Sequence, residues 1–185
     1  MGLRPAKCYK WDTPAYTRVS SNPGDSFITG IPASKINLYD MGNLTADFPV
    51  EISIYPQADM QVRSNAMESA RIVVQKAMEK TIGVSNFHFK VRTYPHHILR
   101  ENVMATGAGA DRVQQGMRQA FGKPVGQAAR LHKGQPLFTV YVNEDAQTIK
   151  FAKKVLRTAL KKLPKPMKLS TLIKSKKTHE QAEDD

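Results

Sequence analysis

Two rhythms of apolar side chains alternate along the chain. VEISIY, residues 50–55, sets Val50, Ile52 and Ile54 against Glu51, Ser53 and Tyr55, the two-residue period of a half-buried strand. SNAMESARIVVQKAMEKTIG, residues 64–83, changes to the helical period, with Met67, Ala70, Val74, Ala77 and Met78 in one apolar stripe. Asn65 followed by Glu68 resembles a capping box, and Gly83 suits the C-terminal stop of that helix. FHFKVRTY, residues 87–94, returns to alternation, with Phe87, Phe89 and Val91 on one face and His88, Lys90 and Arg92 on the other. GQAARLHKGQPLFTVYV, residues 126–142, predicts two strands joined near Lys133–Gly134, the second carrying Phe138, Val140 and Val142. DAQTIKFAKKVLRTALKKL, residues 145–163, predicts a helix capped by Asp145. Its buried face is Ile149, Ala152, Leu156, Ala159, Leu160 and Leu163, and Lys150, Lys154, Arg157 and Lys161 line the opposite face.

Between these elements lie three less regular stretches. Residues 1–30 are punctuated by Pro5, Pro14, Pro23, Gly24 and Gly30 and carry Tyr9, Trp11 and Tyr16 among basic residues. That composition describes an irregular basic arm whose aromatics either pack on the core or stack on bases. Residues 164–185 form a lysine-rich tail ending in EQAEDD, too polar to predict packing. The third stretch, residues 102–123, is a long excursion between strands. Asn102, Val103, Met104, Ala105, Thr106, Gly107, Ala108, Gly109 and Ala110 offer little to order themselves and predict a mobile loop. Asp111 then caps a short expected helix through Phe121, with Val113, Met117, Ala120 and Phe121 to one side and Gly122 ending it. The interior Gly116 weakens that helix by ~1 kcal/mol relative to alanine. Mixed strands with two main helices in one core, residues 31–163, read as α+β.

Charge changes the picture most. Lys and Arg number 28 against 16 Asp and Glu, a formal net charge of +12. Such a surplus repels itself until a polyanion neutralises it, which points to nucleic acid. No run approaches the ~20 apolar residues of a membrane span, so no membrane partner is expected. The single cysteine, Cys8, excludes an internal disulfide and any multi-cysteine zinc site within this sequence. A reducing, cytoplasmic setting follows as the default expectation.

Enzyme chemistry finds no foothold in the motifs. A dinucleotide fingerprint needs a third glycine where Arg112 follows Gly107 and Gly109. A P-loop needs four residues between its glycines, whereas Gly116 and Gly122 enclose five, and Pro124 stands where a magnesium-binding hydroxyl belongs. Adjacent His96 and His97 point to opposite sides of a strand, and His88, His132 and His179 have no ligand spacing. No catalytic residues, metal ligands or cofactor are therefore expected.

ADRVQQGMRQAFGKPVGQAARL, residues 110–131, resembles the signature of a universal large-subunit ribosomal protein family, called L-ten-e in archaea and L-sixteen in bacteria. The likeness rests on Ala110-Asp111-Arg112, Gly116-Met117-Arg118, Phe121-Gly122-Lys123-Pro124, Gly126 and Ala129. It continues through RPAKCYK, GIPASKINLYDMGN, SNAMESARIVVQKAMEK and FHFKVRTYPHHILREN, and covers roughly residues 3–160. The Arg-Pro-Ala-x-Cys-Tyr start favours the archaeal branch. The resemblance implies a hammerhead-type α+β domain with a barrel-like sheet, and a non-catalytic protein working in the cytoplasm on the ribosome. Implied partners are large-subunit rRNA near 5S rRNA, tRNA at the aminoacyl site, and other large-subunit proteins. The 102–110 loop would point towards the peptidyl-transferase centre. The expected RNA-facing cations are Arg4, Lys7, Lys10 and Arg18 in the arm, with Lys90, Arg92, Arg100, Arg130 and Lys133 on or beside strands. Arg112, Arg118 and Lys123 follow in the excursion, and Lys150, Lys154, Arg157 and Lys161 on the final helix. The alternatives are a free-standing RNA-binding factor for assembly or tRNA handling, and an enzyme that modifies RNA with a nucleotide cofactor.

Overall fold

The computed structural model describes residues 3–9, 11, 13–17, 22–25, 28 and 30–173. Two antiparallel sheets and two α-helices make up the domain, so the α+β expectation is met. The larger sheet contains β1 (Asp40–Gly42), β2 (Val50–Pro56), β4 (Phe87–Val91), β7 (Phe138–Val142) and β8 (Met167–Ile173), in the order β1-β4-β7-β2-β8. The smaller contains β3 (Met60–Arg63), β5 (His97–Glu101) and β6 (Lys123–Leu131), in the order β3-β6-β5. Among the described residues neither sheet closes on itself, so the barrel-like sheet takes the form of two open ones. The strands read from GQAARLHKGQPLFTVYV do meet at a turn near Lys133–Gly134, but β6 and β7 enter different sheets.

The alternating pattern explains which face is covered. Val50, Ile52, Ile54, Phe87, Phe89, Phe138, Val140 and Val142 have no solvent exposure. They form one cluster with Met67, Ala70, Val74 and Met78 of α1 (Ser64–Thr81) and Ala152, Leu156 and Ala159 of α2 (Ala146–Leu160). The helices therefore lie side by side on one face of the larger sheet. Each such aliphatic or aromatic side chain stabilises the fold by about 1.5–3 kcal/mol when fully buried. Two hydroxyls that enter this core pair with each other. Ser53 and Thr139 face each other across β2 and β7, with their hydroxyls 3.0 Å apart.

The helix ends depart from expectation at one point. No Asn65 cap forms: α1 begins at Ser64 with Arg63 in the cap position and no side-chain cap bond. Glu68 is drawn instead to Arg71, which sits in the buried stripe and holds the carboxylate through Nη2 and Nε at 2.6 and 2.8 Å. At the other end Gly83 stops the helix as expected, with φ +85° and its N–H on the carbonyl of Met78. The tail expectation also needs correction at its start. Met167–Ile173 is not loose but pairs along all of β2, because Leu169 reaches the core edge beside Ile54. Residues 174–185 lie outside the described part.

Candidate nucleic-acid interface

The most regular cationic surface is on α2. Asp145 fixes its start, accepting from the Thr148 N–H at 3.2 Å and the Thr148 hydroxyl at 2.7 Å. Those bonds hold the carboxyl below the ordinary aspartate range, so the cap stays ionised. With Ala152, Val155, Leu156 and Ala159 turned inwards, Lys150, Lys154, Arg157 and Lys161 are all exposed. Their spacing of four, three and four residues keeps them on one face, about 16 Å from first to last at 1.5 Å per residue. Lys162 and Lys168 are exposed near the same end and extend the positive charge. Sequence pattern alone does not assign either of them to this surface, because the lysine-rich run after Leu160 has no apolar period to fix its direction.

On the larger sheet's other face the cations are less free. Lys90 Nζ lies 3.4 Å from Asp40, which also receives His88 Nε2 at 3.2 Å. His88 stacks on Tyr141 with ring centres 5.3 Å apart. Arg92, just beyond the end of β4, is exposed.

The N-terminal arm is bound to the smaller sheet. Arg4 Nε meets Glu101 at 2.5 Å, the Tyr9 hydroxyl donates to the same carboxylate at 3.4 Å, and Arg63 donates to the Arg4 carbonyl at 2.8 Å. The Tyr16 N–H donates to His97 Nδ1 at 2.9 Å, and the Ile98 N–H returns to the Tyr16 carbonyl. Lys7 is exposed, while Lys10 and Arg18 lie outside the described residues. The aromatics of the arm thus pack on protein. Trp11 sits edge-on to His132 and under the Arg130 guanidinium.

Arg130 is therefore corrected from an RNA-facing cation to a scaffold residue. It is buried, and its guanidinium donates to the carbonyl of Thr13 and, at 3.2 Å, to Gln61. Its other amino group faces His97 Nε2 at 3.4 Å. Burial and then this neighbouring cation push the His97 pKa down to about 4. Arg100 is likewise half-buried, with its guanidinium 4.6 Å from the Tyr16 ring and 4.1 Å from the Phe121 ring. Lys133 is exposed after β6, and its N–H holds Asp59, whose carboxyl is lowered mainly by that bond.

The excursion from Asn102 to Gly122 leaves this sheet as a finger. The expected helix is absent. Two short 3-10 turns, Ala110–Arg112 and Gly116–Gln119, take its place, the second opening at Gly116 with φ +55°. Val113, Met117 and Phe121, which the helix would have buried, are 77%, 72% and 65% exposed. Ordering comes from a side chain instead. Gln114 accepts from the Ala105 N–H at 2.7 Å and donates back to its carbonyl at 3.4 Å. Arg112, Arg118 and Lys123 are exposed along the finger and its base. At that base a Cβ on Gly122 would stand 2.7 Å from the Glu101 carbonyl carbon, so only glycine lets the two strands of the finger come this close. Surfaces of this kind bind anionic ligands through arginine's forked donors and lysine's diffuse charge. Among the described residues no group of three or more His, Cys, Asp or Glu is placed to hold a metal ion, and no helix is long and apolar enough to cross a membrane.

Comparison with known proteins agrees with this chemistry. A family model described as ribosomal protein L16p/L10e matches residues 12–170. The large ribosomal subunit protein uL16 of Methanosphaerula palustris is 50% identical over 170 residues, covering 91% of this chain and 94% of the relative. The uL16 of Methanoculleus marisnigri is 48% identical over 170 residues, covering 91% and 95%. That of Archaeoglobus fulgidus is 44% identical over 169 residues, covering 91% and 92%.

Proposed function

The chain belongs to the L16p/L10e family of large-subunit ribosomal proteins, and from that premise we propose that it clamps rRNA beside the aminoacyl-tRNA site with its finger directed at the peptidyl-transferase centre. Its relatives are proteins of the large ribosomal subunit, and in this reading the chain works there, in the cytoplasm, in translation and rRNA binding. The chain's role is then to position and stabilise RNA, with peptide bond formation left to other groups. 5S rRNA and tRNA are its proposed neighbours.

The observation that carries this reading is the exposed row Lys150, Lys154, Arg157 and Lys161, held rigidly by a helix whose other face is in the core. A row whose backbone is fixed before binding needs no chain ordering on meeting a folded phosphate backbone, so only the lysine and arginine side chains lose freedom. Arg92, Lys123 and Lys133 supply further contacts, while Arg112 and Arg118 carry charge out along the finger. Binding of an rRNA fragment to the purified protein should weaken with salt. Replacing the four α2 cations by glutamine should flatten the log–log slope by roughly 0.7–0.9 for each phosphate that is no longer neutralised. An unchanged slope would remove α2 from the interface. Large subunits carrying a finger deletion should accommodate tRNA poorly, and normal tRNA accommodation by those particles would refute the placement of the finger.

A further inference from the structure

Basic residues are unevenly distributed. Residues 36–62, 81–89 and 134–149 contain no lysine or arginine, although the whole chain has 28. The fold gathers parts of all three at one end. β2 begins at Val50 opposite Val142, and β4 begins at Phe87 opposite the same residue. The loop before β2, the turn before β4 and the loop after β7 therefore share an edge of the larger sheet. Asn43 ties two of them, donating through its side chain to the Ser85 carbonyl at 3.2 Å.

This end is both apolar and acidic. Leu44 is 63% exposed and Val84 55% exposed, while Asp47, Glu144 and Asp145 are exposed carboxylates. Across the sheet Ile173, opposite Val50, is 59% exposed. Between the C-terminal end of α1 and the start of α2 runs a cleft of about 590 Å³, lined by Ile82, Asn86, Asn143, Asp145, Thr148 and Phe151 among others. The carbonyl end of α1 contributes partial negative charge, and the Asp145 carboxylate, ionised at its mouth, more than offsets the partial positive charge of the α2 amide end. Lys80 on the last turn of α1 and Lys150 on the first turns of α2 border the region.

We propose that this pole is a docking surface for a lysine- or arginine-bearing peptide segment of a neighbouring large-subunit protein. A phosphate backbone meets three carboxylates and a helix carbonyl end here, and is repelled. A basic side chain instead lays its hydrocarbon stem on Ile82 and Phe151 and brings its charge to Asp145, further cations of the segment pair with Asp47 and Glu144, and apolar neighbours cover Leu44 and Val84. The inference rests on the ribosomal setting proposed above and names a partner class for a surface which that reading leaves open.

The test places a photoactivatable benzoylphenylalanine at Val84 in large subunits assembled in cells, followed by irradiation and mass spectrometry. The expected product joins this chain to a Lys/Arg-bearing peptide of another protein. The charge-reversed pair Asp47→Lys/Glu144→Lys should reduce its yield about tenfold, as the removal of two surface pairs with added repulsion implies. The isosteric pair Asp47→Asn/Glu144→Gln should give an intermediate reduction and guards against misfolding of the first. Crosslinks to rRNA, no crosslink at all, or yields indifferent to both pairs would overturn the proposal. A separate probe at Arg157 reports on rRNA contact, and its failure to join RNA counts against the earlier reading alone.

Discussion

His97 turns the buried arm contact into a pH-dependent one. Its Nδ1 accepts the Tyr16 N–H, so the neutral ring carries its proton on Nε2, towards the Arg130 guanidinium. A second proton would replace the acceptor by a donor and add a charge beside an existing one. The folded pKa is about 4, against 6.5 for the free side chain. Between those values the unfolded chain binds a proton that the folded chain refuses. Stability is therefore complete above pH 6.5 and falls as the pH drops towards 4. At 1.36 kcal/mol per pKa unit the limiting loss is about 3 kcal/mol, of which about 2 kcal/mol has gone by pH 5. Urea unfolding at pH 7.5 and 5.0, followed by the single tryptophan, Trp11, measures it where the arm meets Arg130. Carboxylates titrate over part of this range, so the comparison is with His97→Asn, whose side-chain oxygen can accept the Tyr16 N–H but does not titrate. The wild type should lose about 2 kcal/mol more than the variant on acidification. Equal losses would show that His97 titrates normally and that the geometry around it has been misread.

Other consequences are simpler to check. Gly122→Ala must push the Glu101 backbone away and should cost about 1–3 kcal/mol, read as a lowered thermal midpoint; an unchanged midpoint would mean that the finger base yields freely. Deleting Thr106–Ala110, an exposed segment outside the core, should leave the thermal transition of the isolated protein within about 0.5 kcal/mol of its original stability, and disappearance of that transition would make the finger a folding element. Removing the α2 cap with Asp145→Ala should destabilise by about 1 kcal/mol, and no change in urea unfolding would show that the Thr148 bonds are idle.

Long periodic segments were legible in the sequence because their pattern and their burial have the same cause. β2, β4, β7 and both helices each carry a complete apolar row, and those rows are what the core encloses. Short strands carry too few residues for a period, which is why β1 and β3 left no signal. β8 was masked by lysines that an edge strand tolerates on its open side. Arg130 misled in another way, and the buried Arg71 passed unremarked. An arginine looks the same in sequence whether it faces solvent or caps a buried carbonyl, although Arg71 offered a clue, lying in the helical stripe three residues after Glu68. The helix expected at residues 111–121 failed because Val113 and Met117 have no core to enter and Phe121 turns to Tyr16 and Arg100 instead, and without burial a glycine-interrupted segment settles into local turns. The α2 stripe was legible apart from the buried Val155, since amphipathicity alone decides which side of a helix meets solvent.

The attachment of the N-terminal arm also sets an order of events during synthesis. Arg4 finds Glu101, Tyr16 finds His97 and Ile98, and Thr13 finds Arg130. Every one of those partners is translated long after the arm itself. At roughly 5–20 residues per second the arm waits on the order of ten seconds for its seat. Throughout that interval a cationic, aromatic stretch of nascent polypeptide is left without its intramolecular bonds, so proteolysis and premature pairing with stray polyanions should strike at this arm before the core.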